Sequence, residues 1–147
     1  MLQQHKWQYL AAIALTALFM ACGSKKGEEA KDGFFAAKAA KAYYEQLVKG
    51  KFDAFINGEV RSQRLPQTYK DQLAINLQKF TEARTKDHAK VDSITIVNAT
   101  FSVKDSTARA YLMLHYADTT QEQIVVPMEK YHGKWSVSYT HLRAHET

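Results

Sequence analysis

The chain predicts an α+β fold in which helices come first and a curved antiparallel sheet follows. Three observations carry that prediction. From residue 34 to about 88 the apolar side chains recur at helical spacing. Beyond Lys90 the spacing changes to two, and the period-two segments are separated by turns of two or three residues. Such short connections make an antiparallel meander, and helices gathered ahead of it make α+β rather than alternating α/β.

Ahead of that domain lies an apolar run, Leu10–Met20, interrupted by Thr16 alone. A transmembrane helix needs about 20 apolar residues, so this run is too short to span and fits the central region of a signal peptide over 1–21. The block Phe19-Met20-Ala21-Cys22, followed by Gly23-Ser24, resembles a bacterial lipobox, with Phe19 and Met20 standing where an aliphatic and a small residue are usual. That resemblance implies a lipid on the Cys22 sulfur, cleavage before it, and acylation of the new amine. Cys22 is the one cysteine of the chain, so no internal disulfide competes for it. One acyl chain holds a protein only marginally, whereas a multiply acylated cysteine anchors firmly. The expected location is therefore the cell envelope, with the outer membrane preferred to the inner. Residues 22–33 are small and charged, with nothing to bury, and read as a lipidated flexible tether.

The domain proper is expected over 34–136. In Phe34–Lys49 the side chains of Phe35, Ala39, Ala42, Tyr43 and Leu47 share one helical face, with Tyr43 as core and Tyr44 as rim. Gly50 supplies a stop. Lys51–Ile56 reads as a short helix that Asp53 is able to cap, closed by Asn57-Gly58. Leu65-Pro66 opens a longer helix running to about His88, on which Tyr69, Leu73, Leu77 and Phe80 form the stripe. Ile94 and Ile96 then alternate in one phase and Val97, Ala99, Phe101 and Val103 in the other, which predicts a bulge or bend in a long strand. After the turn Lys104-Asp105-Ser106, strand Ala108–Ala117 has an apolar face of Ala108, Ala110, Leu112, Leu114 and Tyr116; its other face carries Arg109, Tyr111, Met113 and His115. Asp118-Thr119-Thr120 turns into Gln121–Lys130, which points Ile124, Val126 and Met128 inward. Pro127 favours an edge or bulge for want of an N–H. His132-Gly133 turns into a last strand begun by Trp135.

The final stretch Val137–Thr147 resembles a translated sequencing-library adapter, and its residues, His141 and His145 included, are set aside from functional reasoning.

The segments AAKAYYEQLVKGKFDAF, VDSITIVNATFSVKDSTARAYLMLHYAD and EKYHGKW resemble the nuclear transport factor two-like (cystatin-like) cone, and more narrowly its domain of unknown function in small bacterial lipoproteins. The resemblance implies a bent sheet wrapped around a long helix. It brings no catalytic motif, although some members of the superfamily are isomerases, dehydratases or epoxide hydrolases with an acid or base in the cone.

The chemistry-bearing residues are few. No metalloprotease, nucleophile-elbow or phosphate-loop motif is present, and His5, His88, His115 and His132 are too scattered for a metal centre. No catalytic residue, metal or cofactor is therefore assigned. Tyr111 and His115 share one strand face and are the ligand-binding candidates if that face lines the cone; with the faces reversed they lie outside. The net charge of +5 is interspersed, which argues against nucleic acid as a partner. The expected function is a membrane-anchored, non-catalytic module for a small hydrophobic molecule, peptide or envelope protein, with a homodimer through the sheet as a further reading. The alternative is a small cone enzyme using His115 or a carboxylate.

Overall fold

Small residues decide how the first helix meets the sheet. The computed structural model describes residues 27–138; the stretch expected to carry the signal peptide and the Cys22 anchor lies outside them, as do residues 139–147. Residues 27–48 form helix α1, so the stretch 27–33, expected in the tether, is helical. Its buried stripe is Gly33, Ala36, Ala37, Ala40, Tyr44 and Leu47, each three or four residues from another member. A Cβ on Gly33 would already stand 3.6 Å from Cβ of Ala99, so the backbone lies directly on the sheet. This corrects the predicted face by one position: Phe35 is exposed, Tyr44 is core and Tyr43 half-buried. The reason is packing distance. Phenylalanines on the inner face would hold the helix off, whereas alanines let it approach. Tyr43 instead lays its ring on Gly58 and donates from its hydroxyl to the Trp135 carbonyl at 3.2 Å.

Gly50, at φ +77°, ends α1 with Gly50 N–H donating to Leu47 O and Lys51 N–H to Gln46 O. Helix α2 is Phe52–Asn57; Asp53 sits inside its first turn and makes no side-chain cap, so it acts through the helix dipole rather than as the expected cap. A 3-10 turn, Ser62–Arg64, leads to helix α3, Gln67–His88, which starts immediately after Pro66. Leu73 and Leu77 are its buried residues.

The sheet has four antiparallel strands in the order β1 (Val91–Ser102), β2 (Thr107–Tyr116), β3 (Gln121–Tyr131) and β4 (Lys134–Val137). Its register slips between Ile96 and Asn98, leaving Val97 unpaired and half-exposed. The phase change in the sequence is that bulge, and it keeps Ile94, Ile96, Ala99 and Phe101 on one face. Beyond β4 the segment Gly58–Val60 adds a parallel rung. Val60 N–H donates to Val137 O at 3.0 Å, and Val137 N–H to Gly58 O at 3.3 Å. Val137 is fully buried, so the domain extends at least one residue past the predicted limit of 136. Pro127 is paired with Arg109 on one side; on the other its carbonyl accepts from Ser138 N–H, and its missing N–H falls where β4 has run out.

The core lies between the inner sheet face and the helices. Ala110, Leu112, Val126, Met128 and Val137 from the sheet meet Phe55, Ile56, Leu73 and Leu77. Tyr44 packs edge-on against Phe55 and Trp135 edge-on against Phe101, both favoured aromatic geometries.

Candidate functional site

The core stops short of the end of the cone toward the C-terminus of α3, leaving a pocket of about 240 Å³. Tyr44, Leu47 and Val48 of α1, Phe80, Thr81 and Arg84 of α3, Leu114 of β2 and Ile124 and Val125 of β3 line it. Each element presents here what its period dictates: Leu77, Phe80 and Arg84 follow one another on the same face of α3, while Leu114 and Ile124 belong to the inward phases of β2 and β3. The space equals that of about eight water molecules, at ~30 Å³ each in the liquid. Its apolar lining suits a small organic guest.

One wall is polar. Arg84 donates from Nη1 to a Glu122 carboxylate oxygen and to the Tyr116 hydroxyl (3.2 Å), and that hydroxyl donates to the same Glu122 oxygen at 2.6 Å. The guanidinium also lies 4.6 Å above the Phe80 ring. Burial works against the charge on Arg84, but its bonds to Glu122 and Tyr116 outweigh that and hold its pKa above the ordinary value. Burial likewise raises Glu122; the Tyr116 and Arg84 hydrogen bonds win and leave it below the usual carboxylate range. Tyr116 is pushed up, first by burial and then by its bond to Glu122. Burial pushes Tyr44 up as well. The wall is thus a closed, charge-neutral pair bridged by a phenol, with neither group poised to exchange a proton near neutral pH.

Tyr111 and His115 are not in this pocket. They stand on the outer sheet face, where His115 Nε2 is 2.8 Å from Thr95 Oγ1 and Tyr111 is flanked by Asn98 and Val125. Of the two orientations the sequence left open, the apolar face of β2 is the one that lines the cone. His88 stacks on Tyr116 with ring centroids 5.0 Å apart, behind the polar wall. No sequence motif marks Arg84, Tyr116 and Glu122 as a group. A signal existed: a cation in the apolar stripe of α3 and an anion in the inward phase of β3.

A second cavity of about 400 Å³ lies at the other end of β3, between residues 57–64 and the β3–β4 turn. Glu59 forms part of its wall; it is 3% exposed and neither carboxylate oxygen has a hydrogen-bond partner or an open path to solvent. Burial, reinforced by Glu129 and partly offset by Arg61 and Lys70, pushes its pKa up to about 7. Nothing in the sequence marked Glu59, because burial of a charged residue beside a turn depends on the partner strand. Among the described residues no group of three or more His, Cys, Asp or Glu side chains could hold a metal ion, and no helix is long and apolar enough to cross a membrane.

No protein-family model matches the chain, and no curated protein matches it in sequence. Among solved structures it is similar to the 2.00 Å crystal structure of a Campylobacter jejuni protein whose name carries the words "NTF2-like transpeptidase". The TM-score is 0.54 at 18% identity, over 67% of this chain and 93% of that one. At that identity the likeness carries the fold and no activity: helices followed by an open four-stranded antiparallel sheet, of the nuclear transport factor two-like (NTF2-like) kind.

Proposed function

We propose that the chain is a lipid-anchored cell-envelope protein whose NTF2-like domain is a binding module for a small, neutral, apolar molecule. The supporting observation is the pocket: apolar on three sides and closed on the fourth by a cation that already has its anion. A ligand carboxylate would have to displace Glu122 from Arg84, which costs that half-buried pair its charge-assisted hydrogen bond. A neutral guest meets no such competition. Acylation of Cys22 would bring the domain to the membrane.

The test is a two-dimensional NMR titration with hexanol and hexanoate. Hexanol is expected to shift the resonances of Leu47, Phe80, Leu114 and Ile124, hexanoate to do so far more weakly, and Ile124→Trp to abolish both. Equal shifts from the two probes, or shifts that survive the filled pocket, would refute the reading. The anchor is tested by intact mass of the membrane fraction for wild type and Cys22→Ser: an acylated chain beginning at Cys22, absent from the mutant, is the expected result. The outer sheet face around Tyr111 and Met113 is the surface proposed for an envelope partner or second copy. Half-exposed Val97 beside Tyr111 supports it, and loss of association in Tyr111→Lys by sedimentation is the check.

An enzyme would need an acid or base open to the pocket. The observation that favours one is Glu59, held near neutrality. It stands outside the cone pocket and its oxygens are closed off, so the binding reading is the better supported.

A further inference from the structure

Two large apolar side chains stand out in water next to the start of the described chain. Phe34 is 53% and Phe35 55% exposed, adjacent on α1 with ring centroids 6.4 Å apart. Helical geometry puts them on the side of α1 opposite the Gly33–Ala36–Ala40–Tyr44 stripe, flanked one turn away by exposed Lys31 and Lys38. The Lys38 ammonium lies 5.3 Å from the Phe34 ring centre. Of the acids in this part of the helix, Glu29 and Asp32 lie toward the sheet, and exposed Glu28, seven residues before Phe35, borders the outer face. Glu28, Glu29 and Asp32 line a depression against the sheet with Phe101 and Val103, and Asp32 pairs with Lys130 at 3.1 Å. Farther along, Glu45 is engaged by Lys41 at 3.4 Å. The first half of the helix therefore has a basic aromatic outer face that contributes nothing to the core.

The position of this face in the chain says what covers it. Cys22 precedes the first described residue, Gly27, by five residues. A segment of that length reaches at most about 18 Å, at ~3.5 Å per residue. From there α1 advances only about 10 Å to Phe34, at ~1.5 Å per residue. A helix tied that closely to an acyl anchor stays within reach of the headgroups, and an aromatic face set among lysines is the composition that lies in a bilayer interface.

We propose that this outer face of α1 rests on an anionic lipid surface, Phe34 and Phe35 entering the headgroup–acyl boundary while Lys31 and Lys38 meet lipid phosphates. The inference deepens the anchoring reading and rests on it. It replaces a tether that holds the domain off the membrane with a helix that lies down on it.

The experiment uses the envelope-purified protein carrying Phe35→Trp, an exposed site where the larger ring has room, with vesicles of phosphatidylcholine and a quarter phosphatidylglycerol. Flotation with the vesicles, compared between wild type and Cys22→Ser, reports the anchor. Quenching of the introduced tryptophan by lipids brominated near the headgroup, beyond that of buried Trp135 in the wild type, reports the face. Strong quenching that weakens when Lys31→Glu and Lys38→Glu are added is the expected result. Protein that floats with the new indole unquenched would overturn the proposal and leave the anchor standing; protein that neither floats nor quenches would overturn both. Quenching indifferent to phosphatidylglycerol also overturns it. A blue-shifted, unquenched indole whose shift fades on dilution would put a second copy on this face instead and overturn it too.

Discussion

Replacing Glu59 by glutamine should make the protein more stable above neutral pH and leave it unchanged in acid. The folded state holds the Glu59 proton more tightly than the unfolded chain, because a charged carboxylate at that place is buried, lacks a donor and faces Glu129. Its pKa is about 7 against an ordinary 4.5. The sign follows: the folded state pays nothing below about 4.5, where both states are protonated, and loses stability as pH rises through about 7. One pKa unit is worth ~1.4 kcal/mol, so the loss is about 3 kcal/mol by pH 8. Glutamine has the same shape and no charge, so the variant escapes the loss. Urea denaturation followed by circular dichroism at pH 4.5 and pH 8 measures it. The difference between variant and wild type is the quantity to read. A difference that stays constant across pH, or a glutamine variant less stable than wild type at pH 8, would refute the reasoning.

Arg84→Leu should cost about 1–2 kcal/mol at neutral pH by leaving the Glu122 carboxylate without its cation and with the Tyr116 hydroxyl as its remaining donor; since Glu122 titrates below its usual range, that cost should shrink as pH falls through the acid region, measured by denaturant midpoints. Glu122→Gln should reverse ligand preference, freeing Arg84 to hold hexanoate in the NMR titration. Gly58→Ala places a Cβ 2.0 Å from Cε1 of Tyr43 and should destabilise by about 1–3 kcal/mol through overpacking; a thermal melt of the double variant with Tyr43→Ala should show part of that cost relieved. Leu77→Ala should cost about 2–5 kcal/mol in the same melts, as for other fully buried leucines. A chain ending at Ser136 should melt well below one ending at Ser138. Removing Val137 takes away a buried side chain worth ~1.5–3 kcal/mol and two backbone hydrogen bonds of ~1 kcal/mol each.

Period and punctuation made most of the fold legible. Gly50, Asn57-Gly58, Lys104–Ser106, Asp118–Thr120 and His132-Gly133 all fall at element ends, and the slip at Val97 is written in the alternation of β1. The phase of α1 was not legible. Phe35 and Tyr43 outrank Gly33, Ala36 and Ala40 in the apolar area they offer, yet the helix buries the small residues because close approach to β1 gains more contact than large side chains at a distance. The edge rung at Gly58–Val60 was hidden for a different reason. Three residues are too few to show a period, and their pairing with β4 joins parts of the chain nearly eighty residues apart. Glu59 was lost with it, since its burial is a product of that pairing.

The polar wall of the pocket lies between these cases, and it carries the functional argument. Arg84 interrupts an apolar helix stripe, and Glu122 opens an inward strand phase whose next members are Ile124 and Val126. Opposite charges at two half-buried inward positions either meet or are left unpaired beside apolar neighbours, and the second option is the costlier. Together they predict contact between the C-terminal half of α3 and the start of β3, which is the contact made, with Tyr116 bridging. An enzyme of this fold would place one such group unpaired and open to the cavity, so that its pKa drifts toward neutrality. Here the three are bonded to one another, and the carboxylate that has drifted, Glu59, faces a different cavity behind closed oxygens. Glu59 and the apolar pocket therefore lie toward opposite ends of β3, and what that pocket offers is apolar contact beside a neutral polar wall.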